Sequence, residues 1–348
     1  MQHPLVFDGH NDLLLQIQSG TVAADASGFL GDGGHHIDLD KAKAGGFAGG
    51  FFAIYVPDEG GASFMAEMMA ESYDLPLPPA VGWPRAARIA LAQASILISL
   101  DAQGAVDICR STAGIRSAMN NGTIAAVMHM EGAEAIDPGF HMLDVLYAVG
   151  LRSLGPVWSR PTIFGYGVPF RFPASPDTGP GLTPDGIRLV KKCNDLGVMI
   201  DLSHLNEAGF WDVARNSSKP LVATHSNAHA LCPHSRNLTG RQLHAIRDSD
   251  GMVGLNFAVA FLREDGRMDE ETPIARMVEH LDYLMEEIGE DRVGFGSDFD
   301  CATVPAEIRD IAGLPALRDA MRARGYNKAL MQKLCHGNWL RVLNQTWA

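Results

Sequence analysis

The sequence predicts one α/β domain over residues 1–348, a (β/α)8 barrel of TIM type with long loops after strands two and four and extra C-terminal helices. Three observations predict it. Eight short apolar runs closed by Gly, Pro, Asp or His recur along the chain. Segments of helical period separate most of them, which is the rhythm of a parallel sheet. No Gly-x-Gly-x-x-Gly fingerprint follows any run, which disfavours a doubly wound dinucleotide-binding sheet.

The strands are expected, in order, at Leu5–Asp8, Gly50–Tyr55, Thr123–Met128, Leu151–Val157, Val198–Leu202, Leu221–Thr224, Met252–Asn256 and Arg292–Gly296. Helices are expected between them at Arg85–Arg110, Pro138–Val149, Thr183–Asp195, Glu207–Asn216, Gly240–Asp248 and Thr272–Ile288. Thr183 before Pro184-Asp185 and Thr272 before Pro273 read as N-caps, because a side-chain hydroxyl accepts from a free N–H of the first turn and Pro lacks one. Two further helices, Ala306–Arg324 and Asn327–Asn344, close the chain. The segments Pro57–Pro84 and Pro161–Pro180 interrupt the rhythm and read as lids or binding walls.

At 348 residues and 46% hydrophobic, the chain can bury a large core. A net charge of −13 argues against sequence-independent binding to nucleic acid or to an anionic membrane surface, both of which need clustered Lys and Arg. Five scattered cysteines (Cys109, Cys193, Cys232, Cys301, Cys335) without CxxC spacing read as reduced, mostly structural thiols. No stretch approaches the roughly 18–20 apolar residues of a membrane span, and no basic segment with an apolar h-region opens the chain. A cytoplasmic protein is therefore expected; the sequence is silent on oligomeric state and leaves a homodimer open.

In such a barrel the active site lies at the C-terminal ends of the strands, and potential metal ligands collect there. His10 and Asp12 follow strand one, His129 and Glu131 strand three, His204 strand five, His225 strand six and Asp298 strand eight. Polar groups at five independent strand ends are costly to bury unless something pairs with them. The set suffices for two metal ions if Glu131 bridges. Such a centre lowers the pKa of a bridging water until the hydroxide attacks a polarised carbonyl. Asp298 beside that water would act as base and then acid, whereas the adjacent Asp300 reads as a loop Asp bonded to backbone N–H groups.

The motifs Asp8-Gly9-His10-Asn11-Asp12, Met130-Glu131-Gly132, Asp201-Leu202-Ser203-His204, His225-Ser226-Asn227-Ala228, Ser235-Arg236-Asn237 and Gly296-Ser297-Asp298-Phe299-Asp300 run in an order that resembles the membrane (renal) dipeptidases and their soluble bacterial branch. Gly337-Asn338-Trp339-Leu340-Arg341-Val342 looks like that family's C-terminal helix, so the resemblance covers nearly the whole chain. It implies a binuclear zinc dipeptidase, often tolerant of a D-residue at the C-terminal position. His10 and Asp12 would hold one zinc, His204 and His225 the other, Glu131 would bridge, and Asp298 would be the acid/base residue. Arg236 would bind the substrate's C-terminal carboxylate with its guanidinium fork. A His and carboxylate set also accepts Co²⁺ or Mn²⁺.

One departure matters. Well-known members carry Thr-His-Ser at the end of strand four, and that His contacts the substrate. Here Trp158 stands in its place within Gly155-Pro156-Val157-Trp158-Ser159-Arg160, and an indole cannot become cationic. Stabilisation of the oxyanion would then fall to the metals alone, or to Arg160, Tyr166 or His129. Two rivals stand beside the dipeptidase: an amidase or lactonase on the same barrel, and a catalytically inactive ligand-binding barrel with Trp158 as the lesion. Arg236 discriminates the first, metal content the second.

Overall fold

In the computed structural model of the chain, which describes residues 3–25, 28–30, 35–58 and 66–347, the eight apolar runs become parallel strands paired in chain order. β1 (Val6–Asn11) pairs with β2 (Phe47–Tyr55), β2 with β3 (Ile124–Glu131), β3 with β4 (Leu151–Leu154) and β4 with β5 (Met199–Ile200). A second sheet orders β6 (Val222–Ala223), β7 (Met252–Leu255) and β8 (Val293–Phe295). Single parallel bridges span the two seams, from Asp201 to Val222 and from Asn11 to Phe299. Helices connect successive strands, as parallel neighbours require, because a tight hairpin cannot join them. The fold is an α/β fold built on parallel strands.

Alternate residues of the strands share one face. Phe7, Phe51, Val127, Met199, Val222 and Met252 accordingly form one buried cluster, joined by Trp339, Leu340 and Leu343 from the C-terminal helix Asn338–Thr346. The Trp339 indole is fully buried and donates to the Phe295 carbonyl at 2.9 Å. Gly9 and Gly254 make room for it: a Cβ at either position would stand 2.5 or 3.0 Å from the indole. This apolar layer fills the strands' N-terminal half and leaves the polar strand ends to form the site.

Where elements differ from expectation, the cause is local. β3 runs to Glu131 rather than Met128 because its ladder with β2 continues through Ala53↔His129 to Tyr55↔Glu131. The helix expected over 85–110 spans Trp83–Ala102 and ends before Gly104, whose φ of +76° turns the chain. The short strand Val106–Ile108 then pairs with β3, and a further helix covers Thr112–Asn121. Thr183 does cap its helix, accepting from Gly186 N–H, whereas Pro273 rather than Thr272 precedes the helix Ile274–Ile288. The segment expected as one helix from Ala306 begins as a helix only at Leu314, after a 3₁₀ turn at Ile311–Gly313. The closing helix is broken by a π-turn at Lys333–Gly337.

The two long loops meet. Tyr73–Asp74 of the first pairs antiparallel with Arg171–Phe172 of the second, and Arg171 Nε lies 2.7 Å from Asp74 Oδ1. Residues 59–65 of the first loop lie outside the described residues. Among the described residues, no helix is long and apolar enough to cross a membrane.

Candidate metal centre

The ligand-type residues named from the sequence converge at the C-terminal ends of the strands. His10 lies within β1 and Asp12 one residue past its end, both fully enclosed. Glu131 ends β3, and its Oε1 lies 3.6 Å from His10 Nε2, 3.0 Å from His204 Nε2 and 3.3 Å from His225 Nε2. Asp12 Oδ2 stands 3.4 Å from His10 Nε2. Three overlapping ligand groups result, His10–Asp12–Glu131, Glu131–His204–His225 and His10–His225–Asp298, with Glu131 common to the first two.

The hydrogen bonds fix the tautomers of His225 and His204. Thr224 Oγ1 donates to Asp201 Oδ2 at 2.7 Å, so it must accept from His225 Nδ1 at 2.8 Å. His204 Nε2 accepts from Arg236 Nη2 at 3.2 Å, because a guanidinium only donates. His204 Nδ1 therefore donates to Ser159 Oγ at 2.8 Å. Both Nε2 atoms thus present lone pairs, 3.1 Å from one another. Two lone pairs at that separation repel unless a proton or a metal ion lies between them and their neighbours.

The charges give the same answer. Burial pushes Asp12 and Glu131 up, and the neighbouring Asp298 carboxylate pushes both further. Burial, then the cations Arg236 and His10, holds His204 and His225 well below the usual imidazole range. His10 goes the other way: burial pulls it down, but the Glu131, Asp12 and Asp298 carboxylates outweigh that and carry it to about 10. The protein alone cannot settle so many buried carboxylates. Both Asp12 oxygens and His10 Nε2 lack a hydrogen-bond partner among the described residues. Divalent cations would satisfy these atoms and the facing imidazoles together, so the residues fit a metal centre.

A profile for the membrane dipeptidase family, peptidase family M19, matches residues 1–348. The chain belongs to this family. A metallo peptidase from Rhodobacter sphaeroides, solved with a phosphinate mimic of the dipeptide L-Ala-D-Ala, is 55% identical and superposes with a TM-score of 0.97 over 99% of this chain and 100% of that one. An M19 metallo peptidase termed dipeptidase AC is also 55% identical, with a TM-score of 0.96 over 99% of both chains. A protein encoded in the pqqA 5′ region of Klebsiella pneumoniae is 52% identical over 244 residues, 70% of this chain and 90% of its own length. This M19 dipeptidase is accordingly a metal-dependent hydrolase of dipeptides, the reaction expected from its motifs.

Arg236 of the dipeptidase is buried against the centre. It donates to the Ser203 carbonyl through Nη1 and to the His225 carbonyl through Nη2 at 3.2 Å, while its Nε has no hydrogen-bond partner among the described residues. Burial lowers it to about 10, opposed by Asp298, Glu131 and Asp201, so it stays cationic at neutral pH. Asp298 takes a left-handed backbone, φ +62°, which Asp tolerates better than most residues. Its Oδ2 accepts from Asn256 Nδ2 at 2.9 Å, and its Oδ1 lies 4.0 Å from His10 Nε2. Asp300 Oδ1 accepts from His36 N–H at 2.7 Å, while its buried Oδ2 has no partner among the described residues.

The other expected substrate contacts divide. Trp158 stands in the wall, its ring 5.7 Å from that of His204 and 5.2 Å from that of Tyr55. Arg160 does not face the centre: its guanidinium is fully buried between Glu134 and Asp58, each at 3.3 Å, and donates to Val56 O and Tyr55 Oη. Tyr166 is the most exposed of the group, and among the described residues no hydrogen bond joins it to the metal ligands. His129 lies beside the His10 ring and bonds Ser153 Oγ at 2.8 Å; burial lowers it to about 3, so it is neutral. Cys301 departs from the structural reading given to the cysteines, being the exposed one of the five.

Sequence reasoning missed Ser159, Thr224, Asn256 and Tyr55. Ser159 and Asn256 act by touching His204 and Asp298 across the strand order, which nothing in their local sequence signals, while Thr224, though next to His225 in the chain, takes its role from the bond to Asp201 on the neighbouring strand. Tyr55 carried a usable signal, since it closes an apolar run at a strand end as the ligands do.

Proposed function

We propose that this chain cleaves small dipeptides, including those with a D-residue at the C-terminal position, with two zinc ions held by His10 and Asp12 on one side and His204 and His225 on the other. Glu131 lies between the two pairs. The observation that carries this reading is Glu131 Oε1, within 3.0–3.6 Å of all three Nε2 atoms. When bound, such a pair of ions supplies Lewis acidity and makes water nucleophilic at neutral pH.

The chain's own residues supply the rest. Arg236 presents a buried cation beside the centre, suited to a free substrate carboxylate. Asn256 pins Oδ2 of Asp298, which leaves Oδ1 to take a proton from water and return it to the leaving amine. The buried network of Asp201, Thr224 and Ser159 holds the imidazoles with Nε2 inward. Closure of the two sheets into one (β/α)8 barrel is supported by the single bridges at both seams. The L-Ala-D-Ala mimic bound by the Rhodobacter relative supports an L,D substrate. The buried Arg236 favours a dipeptide over a lactone, which offers no carboxylate.

The test is a screen of L,L and L,D dipeptides, N-acyl amino acids and lactones against protein reconstituted with Zn²⁺, Co²⁺ or Mn²⁺. Turnover of L-Ala-D-Ala by protein holding two metal equivalents is expected. Turnover of lactones or acyl amino acids without any dipeptide, or fewer than one equivalent of metal with no rescue by added Zn²⁺, refutes the proposal.

A further inference from the structure

We infer that the Tyr55 hydroxyl is the protein hydrogen-bond donor to the scissile carbonyl oxygen of the substrate as that oxygen gains charge, with Arg160 as its positioning residue. The inference rests on the dipeptidase reading above and concerns the step for which Trp158 offers no cation.

Tyr55 ends β2 as the Cα partner of Glu131 at the end of β3. Paired residues of neighbouring parallel strands point to the same face, so the phenol and the Glu131 carboxylate enter the same mouth. The ring is lodged edge-on against Trp158 at 5.2 Å, and Trp158 in turn lies against His204. Tyr55 therefore stands beside Glu131 at the wall that Trp158 forms against His204.

Its hydrogen bonding leaves one proton to give. Arg160 Nη2 donates to Tyr55 Oη at 3.1 Å, and a guanidinium cannot accept. The phenol oxygen is thus an acceptor in that bond, and its own O–H is directed elsewhere. No acceptor for it is recorded among the described residues. Donation from a buried cation polarises the O–H and strengthens it as a donor. Arg160 is itself pinned by Val56 O at 2.7 Å and by the carboxylates of Asp58 and Glu134. The donor is therefore preorganised and costs little reorganisation when charge develops.

The step balances without moving the phenol's proton. The water oxygen adds to the carbonyl carbon, the carbonyl π pair moves onto its oxygen, and Tyr55 donates a hydrogen bond to that oxyanion. The pair then returns to reform C=O, the C–N bond breaks, and the proton held by Asp298 goes to the departing amine. The other groups are placed differently: His129 lies beside His10 and bonds Ser153, and Arg160 is enclosed behind Tyr55.

Tyr55→Phe tests this, since it removes one oxygen while Arg160 Nη2 keeps its bond to Val56 O. In the metal-loaded protein, kcat for L-Ala-D-Ala is expected to fall about 10²-fold or more with KM nearly unchanged. Affinity for the tetrahedral phosphinate mimic of L-Ala-D-Ala should fall in parallel, while metal content and Tm stay at wild-type values. Arg160→Lys, which loses the fork, should show a smaller loss in which kcat and phosphinate affinity again move together. Tyr55→Phe within threefold of wild type in both quantities overturns the inference, as does a loss of kcat explained by lost metal. A metal-loaded wild type that cleaves no dipeptide overturns the dipeptidase reading itself, a result distinct from active wild type with an unaltered variant.

Discussion

Thr224→Val replaces a buried hydroxyl by a methyl of nearly the same size, and the structure says which bonds that removes. Thr224 Oγ1 accepts from His225 Nδ1 at 2.8 Å and donates to Asp201 Oδ2 at 2.7 Å. The first bond holds the imidazole with Nε2 toward Glu131; the second keeps a fully buried carboxylate satisfied. Losing a bond to a charged acceptor costs about 1.5–3 kcal/mol, and the neutral one about 1 kcal/mol. Asp201 retains Ser203 Oγ and the Thr224 N–H on its other oxygen, so the fold should survive. The imidazole, however, loses the partner that fixes its tautomer and ring angle. Such losses weaken metal binding about 10- to 100-fold, roughly 1.4–2.7 kcal/mol. The assay is competition between the protein and a chelator of known affinity, read as metal retained per chain. The weaker site should release its ion at a 10- to 100-fold lower chelator concentration, while kcat with saturating Zn²⁺ stays within a few-fold of wild type. Ser159→Ala should act likewise through His204. Metal affinity within twofold of wild type in Thr224→Val would refute the claim that the Asp201–Thr224 pair holds the ligand.

Other outcomes are as definite. Arg236→Ala should lower kcat/KM for dipeptides about 10³-fold, the value of two charge-assisted bonds to a carboxylate at roughly 2 kcal/mol each; steady-state kinetics showing dipeptide turnover unchanged would remove Arg236 from substrate binding. Asp298→Asn should lower kcat by about 10²- to 10⁴-fold with two metal equivalents still bound by elemental analysis; retention of kcat would assign proton transfer elsewhere. Burial pushes Glu134 up to about 7, against Arg160. Its folded pKa is raised, so folding favours the acid form: the stability it contributes is full below about pH 4.5 and is lost as pH rises through 7. That amounts to about 3 kcal/mol, and denaturant titrations of metal-free Glu134→Gln should show a flatter stability profile between pH 4.5 and 7 than wild type. An unchanged slope would mean that Glu134 does not titrate in the fold.

The strands were legible because a parallel sheet buried on both faces must be written as short apolar runs, and those runs ended within a few residues of the observed strands. The candidate ligands were legible for the complementary reason: His10, Glu131, His204 and His225 are polar residues at strand ends, where burial is costly without a partner. The short strand Val106–Ile108 was not, since it follows a helix with only Gly104 to announce the turn. The partners of Arg160 were hidden for a related reason. A guanidinium six residues past the end of β4 can reach inward or outward, and its partners Asp58 and Glu134 are brought to it by other segments.

Chain-local chemistry therefore specified the strand rhythm, the ligand types and the family, because each depends on residue order and hydropathy within a few positions. Folding alone assigned the partners. Glu131 became common to two ligand groups, Asp201 came to orient the Thr224 hydroxyl behind His225, and Tyr55 was set beside Glu131 and against Trp158, through register between neighbouring strands. Register depends on how side chains of distant segments pack across the sheet, and no window of sequence contains both sides of such a contact.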